Sequence, residues 1–318
     1  MDYRPNFLAS TLASRRSHHF AVLVPSPQTE DSYWNKPLKG IQRALEELQP
    51  YGILLTLYPY DQRNPKTFES KSKEILDSSP DGVVLAPFFS REALLFIGQL
   101  DQQKIPYVFI DSNLKNTGAV SYIGQASFQS GMLAAKLLHY MLKANEPVLV
   151  VHFAKAMDDQ NHLIQREQGF HAYFAQLPPS DQHPIKTIKF EQPHQENDFK
   201  LLDRVLLQQP QTGGIFVTNS QVYRMADYLA RRENGTIRLI GHDLIRQNVS
   251  CLKNGMVDFL ICQRPEQQGY QSINALFQHI MLKNPVPAEN YTPIDIITKE
   301  NIDYYNEFNL INYGTTQF

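Results

Sequence analysis

The chain has 318 residues, 42% hydrophobic and 19% charged, and its 30 Lys and Arg against 32 Asp and Glu leave a formal charge of −2. That balance excludes a disordered chain, which needs low hydrophobicity and high net charge, and a protein that coats nucleic acid over its whole surface. The length suggests about two domains.

Short β-branched runs alternate with helical patterns. Residues 20–24 (FAVLV) form a buried-strand run stopped by Pro25-Ser26-Pro27, after which Leu38, Ile41, Leu45 and Leu48 recur at helical spacing. Strands are expected at 53–58, 82–86, 107–110 and 120–123, with helices at 65–77 and 91–102 between them. The pattern then starts again. Strands are expected at 148–153, 185–190, 214–218, 238–241 and 259–262, with helices at 163–177, 198–208, 221–231 and 249–253, and a long one at 265–283. Continuously apolar strands separated by helices predict parallel sheets covered on both faces. Two successive sets predict an α/β protein of two doubly wound lobes, which bind ligands at the carboxyl ends of their strands and so in the cleft between lobes.

The two cysteines, Cys251 and Cys262, are too few for a disulfide framework or a zinc site. They form one disulfide or, the favoured alternative, stay as two packed thiols. The opening MDYRPNFLASTLASRRSHHF has no apolar h-region, and runs such as VLVV and GVVLA fall far short of the ~20 residues that span a membrane. A cytoplasmic protein without membrane contact is therefore expected. GxGxxG, GxxxxGK[ST], GxSxG, HExxH and CxxC are all absent, so neither cofactor nor metal is expected.

Residues 3–16 read YRPNFLASTLASRR. Pro5 ends an extended lead-in, Asn6 is a good N-cap, and Leu8 and Leu12 share one face of a short helix. A helix this short is marginal alone, and its basic residues call for an anionic partner. A frayed arm or a swapped tail is the alternative.

This segment resembles the hinge helix of the LacI/GalR family of bacterial transcription regulators, with Tyr3, Pro5, Asn6, Ala9 and Leu12 matching its pattern. The resemblance implies that Leu12, with Ala9 beside it, is a wedge that enters the DNA minor groove and kinks the duplex. It covers essentially the whole chain, except that the family's helix-turn-helix head does not precede Tyr3. A periplasmic-binding-protein-like core that keeps ligand sensing and loses most sequence-specific DNA binding is therefore expected. The lobes would be 17–124 with 264–289 and 125–263 with 290–318, following a hinge at 1–16.

Four further elements of the second half resemble the family's, in its order. They are Arg166-Glu167-Gln168-Gly169-Phe170, Val217-Thr218-Asn219-Ser220, Leu239-Ile240-Gly241-His242-Asp243 with His in place of an aromatic, and Ile261-Cys262-Gln263-Arg264-Pro265. Arg166, Asn219, Asp243 and Gln263 supply the forked donors, carboxylate and amides that pair with adjacent sugar hydroxyls. Helix capping is the alternative for Asn219 and Asp243. The first half offers Trp34, Phe88 and Asp111, which follow its strands and suit sugar C–H faces and hydroxyls. Packing at a lobe edge is the alternative for the aromatics, and capping of the turn at Ser112-Asn113 for Asp111. After the fifth strand the family carries an acidic pair where this chain has Gly124-Gln125, which removes a charge at the crossover.

The resemblance thus implies the effector-binding core of a homodimeric transcription regulator, with a small molecule, a sugar by preference, and operator DNA as partners. A transport-type periplasmic sugar-binding protein is the alternative. A cleft enzyme, with Asp111, His242 and Asp243 as its acid-base groups, is disfavoured because neighbouring strand residues point to opposite sides.

Overall fold

The central strands are built of residues whose side chains are all covered, because parallel sheets carry helices on both faces. A computed structural model describes residues 17–153, 161–190, 195–232 and 237–305. The chain divides into two units. The first runs to Gly124 and takes in Pro265–Thr292; the second is Gln125–Arg264 together with the chain from Pro293 onward. Arg264 thus falls in the second unit and residues 290–292 in the first, a displacement of one and three residues from the expected boundaries.

In the first unit β1 (His18–Leu23) leads to α1 (Asn35–Leu48), β2 (Ile53–Leu57), α2 (Pro65–Ser78), β3 (Gly82–Leu85), α3 (Ser90–Gln103), β4 (Tyr107–Ile110) and β5 (Ser121–Gln125). The second repeats the plan with α4 (Ser127–Met141), β6 (Val148–Phe153), α5 (Asn161–Ala175), β7 (Ile185–Phe190), α6 (Gln195–Gln208), β8 (Gly214–Val217), α7 (Val222–Ala230), β9 (Arg238–His242), α8 (Arg246–Lys253) and β10 (Phe259–Cys262). The chain returns to the first unit as α9 (Pro265–Ile280) and β11 (Glu289–Thr292), and β12 (Asp295–Ile297) joins the second. Local signals explain several ends: α2 opens on Pro65 after Asn64, whose side chain accepts a hydrogen bond from the Lys66 amide.

The sheet orders are β11-β5-β4-β3-β1-β2 and β12-β10-β9-β8-β6-β7, one topology used twice without a sequence repeat. Strands β1 to β5 pair in parallel, as do β6 to β10. In both sheets the order reverses beside the first strand, between β1 and β3 and between β6 and β8, which is where such folds take ligands. β12 runs antiparallel to β10 and corrects the expectation of wholly parallel sheets. It enters straight from β11 through Pro293 and Ile294, with no crossover helix to turn it parallel. Sequence patterning misses β11 and β12 because they are short and carry polar residues at half-exposed positions.

Each unit buries its own core: Phe20, Val22, Ile41, Phe68, Val84, Phe96 and Phe109 in the first, and Val150, Phe170, Phe216, Met225, Ile240 and Leu260 in the second. Burial of each large side chain stabilises by about 1.5–3 kcal/mol. Cys251 and Cys262 are both buried and form no disulfide. Among the described residues no helix is long and apolar enough to cross a membrane.

In both units the helix after the first strand meets a helix arriving from the other sheet's last parallel strand. α1 meets α9 in the first unit and α5 meets α4 in the second. Glycine allows both approaches. A Cβ on Gly40 would fall on the Glu266 carbonyl and one on Gly269 on that of Pro37. A Cβ on Gly131 would fall on the Arg166 carbonyl and one on Gly169 on that of Phe128. Gly169, the glycine of the Arg-x-x-Gly-Phe element, is thus a helix-packing residue that sets where Arg166 stands.

Gly131→Ala is therefore expected to lower stability by about 1–3 kcal/mol, since helix backbone must move apart. Gly98→Ala, on an exposed helical position where a Cβ meets nothing within 4 Å, is expected to raise it by about 1 kcal/mol. Denaturant unfolding of both variants checks the opposite signs.

Candidate ligand-binding site

In the second unit Arg166, Gln263 and Asp243 come together at the carboxyl ends of the strands. Arg166 is one of the largest fully buried side chains, 1% exposed. Its Nη1 donates to the Thr218 carbonyl at 2.7 Å, and its Nη2 to Gln263 Oε1 at 3.1 Å. Gln263 Nε2 in turn donates to Asp243 Oδ1 at 3.0 Å. The amide thus bridges cation and carboxylate. Among the described residues both of these acceptors are neutral oxygens, and the buried Nε of Arg166 meets no hydrogen-bond acceptor. A guanidinium so placed retains donors for an incoming oxygen.

A ring of polar groups holds Thr218 in place. His152 Nδ1 lies 2.7 Å from Thr218 Oγ1 and its Nε2 lies 2.9 Å from Glu167 Oε2, while Thr187 Oγ1 donates to Glu167 Oε1 at 2.6 Å. The hydrogen bond from His152 is the main reason the Glu167 carboxyl is held down at about 2, against its ordinary 4.5; Thr187 adds to it and desolvation opposes it. The ionised carboxylate only accepts, so Nε2 of His152 carries a hydrogen. His242 and His162 are held well below the ordinary imidazole range, first by burial and then by the Arg166 charge. His242 takes the packing place of an aromatic, 5.6 Å from the Phe216 ring centre, and its Nε2 lies 2.9 Å from Ser130 Oγ.

Asn219 stands outside this group. Its Nδ2 donates to the Phe153 carbonyl at 2.7 Å and its Oδ1 accepts from the Gln221 amide at 3.3 Å, so it ties the end of β6 to the turn before α7. The neighbouring Thr218 carbonyl, not the Asn219 side chain, meets Arg166.

In the first unit Asp111, Trp34 and Phe88 are linked through Tyr33. Tyr33 Oη donates to Asp111 Oδ1 at 2.5 Å, and the Tyr33 ring meets Trp34 edge-on at 5.6 Å. Trp34 meets Phe88 at 5.8 Å and 85°. Trp34 is 3% exposed and Phe88 7%, so packing accounts for most of their surface.

Asp111 follows β4 and Asp243 follows β9, the same place in the two topologies. Both are 4% exposed and both have left-handed backbone, with φ of 67° and 70°. Each donates its amide to the neighbouring strand at 3.0 Å, Asp111 to the Ile123 carbonyl and Asp243 to that of Ile261. A non-glycine residue with positive φ is uncommon, and Asp is among the side chains that tolerate it best. The hinge candidates Tyr3, Pro5, Asn6, Ala9 and Leu12 lie outside the described residues. Sequence reasoning did not single out Thr218, His152 or Glu167 as site residues, and no pattern in the sequence marks them.

The periplasmic binding protein domain family matches residues 20–284. No curated protein matches the chain. Among solved structures, the chain is similar to a candidate LacI transcriptional regulator from Bacteroides fragilis, 33% identical over 92% of this chain and 100% of that one, with a TM-score of 0.81. It shares its fold with the glucose-galactose binding protein GanP from Geobacillus stearothermophilus (21% identical, 90% and 99% covered, TM-score 0.79). It also shares it with an ABC transporter solute binding protein from Agrobacterium vitis bound with α-D-tagatopyranose (21% identical, 90% and 96% covered, TM-score 0.78).

The shifted groups set a pH dependence. His242 and His162, held low when folded, take up protons on unfolding, so stability is expected to fall as pH drops below about 6.5. The Glu167 contribution is complete above 4.5 and is lost as pH falls from there through about 2. Glu167→Gln is expected to flatten the lower window alone, as measured by thermal unfolding across pH.

Proposed function

Because the chain belongs to the periplasmic binding protein domain family, matched over residues 20–284, we propose that it is the effector-binding core of a LacI-type transcription regulator whose effector is a sugar. The observation that carries the sugar reading is the buried Arg166–Gln263–Asp243 chain, together with a second aspartate, Asp111, in the same strained strand-end position of the other unit. Carboxylates that accept, a guanidinium that donates and an amide that does both suit adjacent hydroxyls, and backbone strain gathers where function requires it. Two fold neighbours, the glucose-galactose binding protein GanP and the Agrobacterium vitis protein bound with α-D-tagatopyranose, support the same class.

The regulator reading rests on the 33% identical Bacteroides fragilis structure and on the hinge-like segment with Tyr3, Pro5, Asn6, Ala9 and Leu12. In this reading the protein is a cytoplasmic homodimer that presents its hinge segments to operator DNA. The effector shifts that presentation by its differential affinity for two states. A transport-type sugar-binding protein is the second reading, favoured by the transporter components among the fold neighbours.

A thermal-shift screen against D-glucose, D-galactose, D-ribose, L-arabinose, D-allose and D-tagatose tests the sugar reading. At a hundred times Kd a ligand stabilises by about 2.7 kcal/mol, a plainly visible shift. One sugar class is expected to give a shift that Asp243→Ala abolishes, and silence across the panel would reject the class. Leu12→Ala, in a protein carrying a DNA-reading head, is expected to weaken operator binding and leave sugar affinity unchanged. Unchanged operator affinity would favour the transport reading.

A further inference from the structure

Left-handed backbone at a buried aspartate has to be held, and the two units hold it by the same device from different residues. In the first unit Tyr122 Oη donates to the Asp111 main-chain carbonyl at 3.1 Å. In the second, Asn248 Nδ2 donates to the Asp243 main-chain carbonyl at 3.0 Å, and also to those of His242 and Ser220, each at 2.9 Å. Asn248 is fully buried on α8, and its Oδ1 accepts from the Tyr223 amide at 3.1 Å, so one side chain joins the turns after β8 and β9. Tyr122 is 6% exposed on β5. Each pin grips the peptide just after the aspartate Cα, while the amide before it is gripped by the neighbouring strand.

Gly124 makes the first pin possible. The Tyr122 ring folds along its own strand over residue 124, and a Cβ on Gly124 would fall on its hydroxyl and ring. The Gly124-Gln125 pair, which the sequence offers in place of a charged one, thus provides room for a tyrosine to reach Asp111.

Resting on the sugar-binding reading, we propose that Tyr122, admitted by Gly124, is a positioning residue that keeps Asp111 in its left-handed, ligand-ready conformation, and that Asn248 does the same for Asp243. Neither acts by touching sugar. Both act by fixing where a carboxylate points.

Tyr122→Phe removes only the hydroxyl, and Gly124→Ala displaces it from the opposite direction. Whichever sugar of the panel above gives the largest shift is titrated calorimetrically against the full chain and both variants. Each variant is expected to lose roughly fivefold in affinity, the worth of about one net hydrogen bond. In an Asp111→Ala background Tyr122→Phe is expected to cost nothing further, because the group it positions is gone. An undiminished affinity in Tyr122→Phe, or the same fivefold loss in the Asp111→Ala background, overturns the proposal. If no sugar binds the parent chain, the sugar reading fails by itself, and crystal structures of the two variants decide the positioning role. Departure of residue 111 from positive φ supports it; retention in both variants overturns it.

Discussion

Two helices of the second unit touch backbone to backbone, and the buried guanidinium at its strand ends depends on that contact. With a hydrogen in place of a side chain at Gly131 and Gly169, α4 and α5 approach until carbonyls occupy the space a methyl group would need. Arg166 contributes one of those carbonyls, so the crossing fixes its Cα. From there its long side chain reaches the Thr218 carbonyl and the Gln263 amide. A wider crossing would draw the fork back and leave a buried cation short of acceptors, a state costing several kcal/mol.

The groups around Arg166 give way to its charge. Burial alone would push nearby imidazoles towards neutrality, and the arginine charge pushes the same way, so His162 and His242 stay uncharged beside it. Glu167, the next residue on α5, is held ionised by His152 and Thr187. The negative charges are thus set back from Arg166, Asp243 behind the Gln263 amide and Glu167 behind His152 and Thr218. Among the described residues no carboxylate forms a direct ion pair with Arg166, so its donors are not consumed in that way. A site that takes neutral, hydroxyl-rich ligands needs such partly committed groups, because fully paired ones have nothing left to exchange for water.

The first unit reaches a comparable end with different chemistry. Its aspartate occupies the same topological place with the same backbone conformation, yet it is gripped by tyrosines where the second unit uses amides. Two halves that share a topology but no detectable repeat keep the strained acid and differ in what restrains it. Backbone position is dictated by the fold. The restraining group is free to vary as long as it donates to one carbonyl.

Much of this was legible in one dimension. Apolar runs and their spacing determined the parallel strands and the helices between them, since burial on both faces demands an uninterrupted apolar run. Arg166, Asp243 and Gln263 were visible through their resemblance to family elements, and Asp111 as an acid directly after a buried strand. The sequence alone could not show that Gln263 bridges Arg166 to Asp243, because the three belong to separate strand ends and a helix that only the folded sheet gathers. Nor could it show that Asn219 serves the main chain, since capping and ligand contact use the same side chain. Tyr122, Gly124 and Asn248 carry no pattern of their own: their roles follow from the reach of a hydroxyl or an amide towards one carbonyl. β11 and β12 were decided by tertiary structure for the same reason, as segments of four and three residues become strands only when an existing sheet edge accepts their hydrogen bonds.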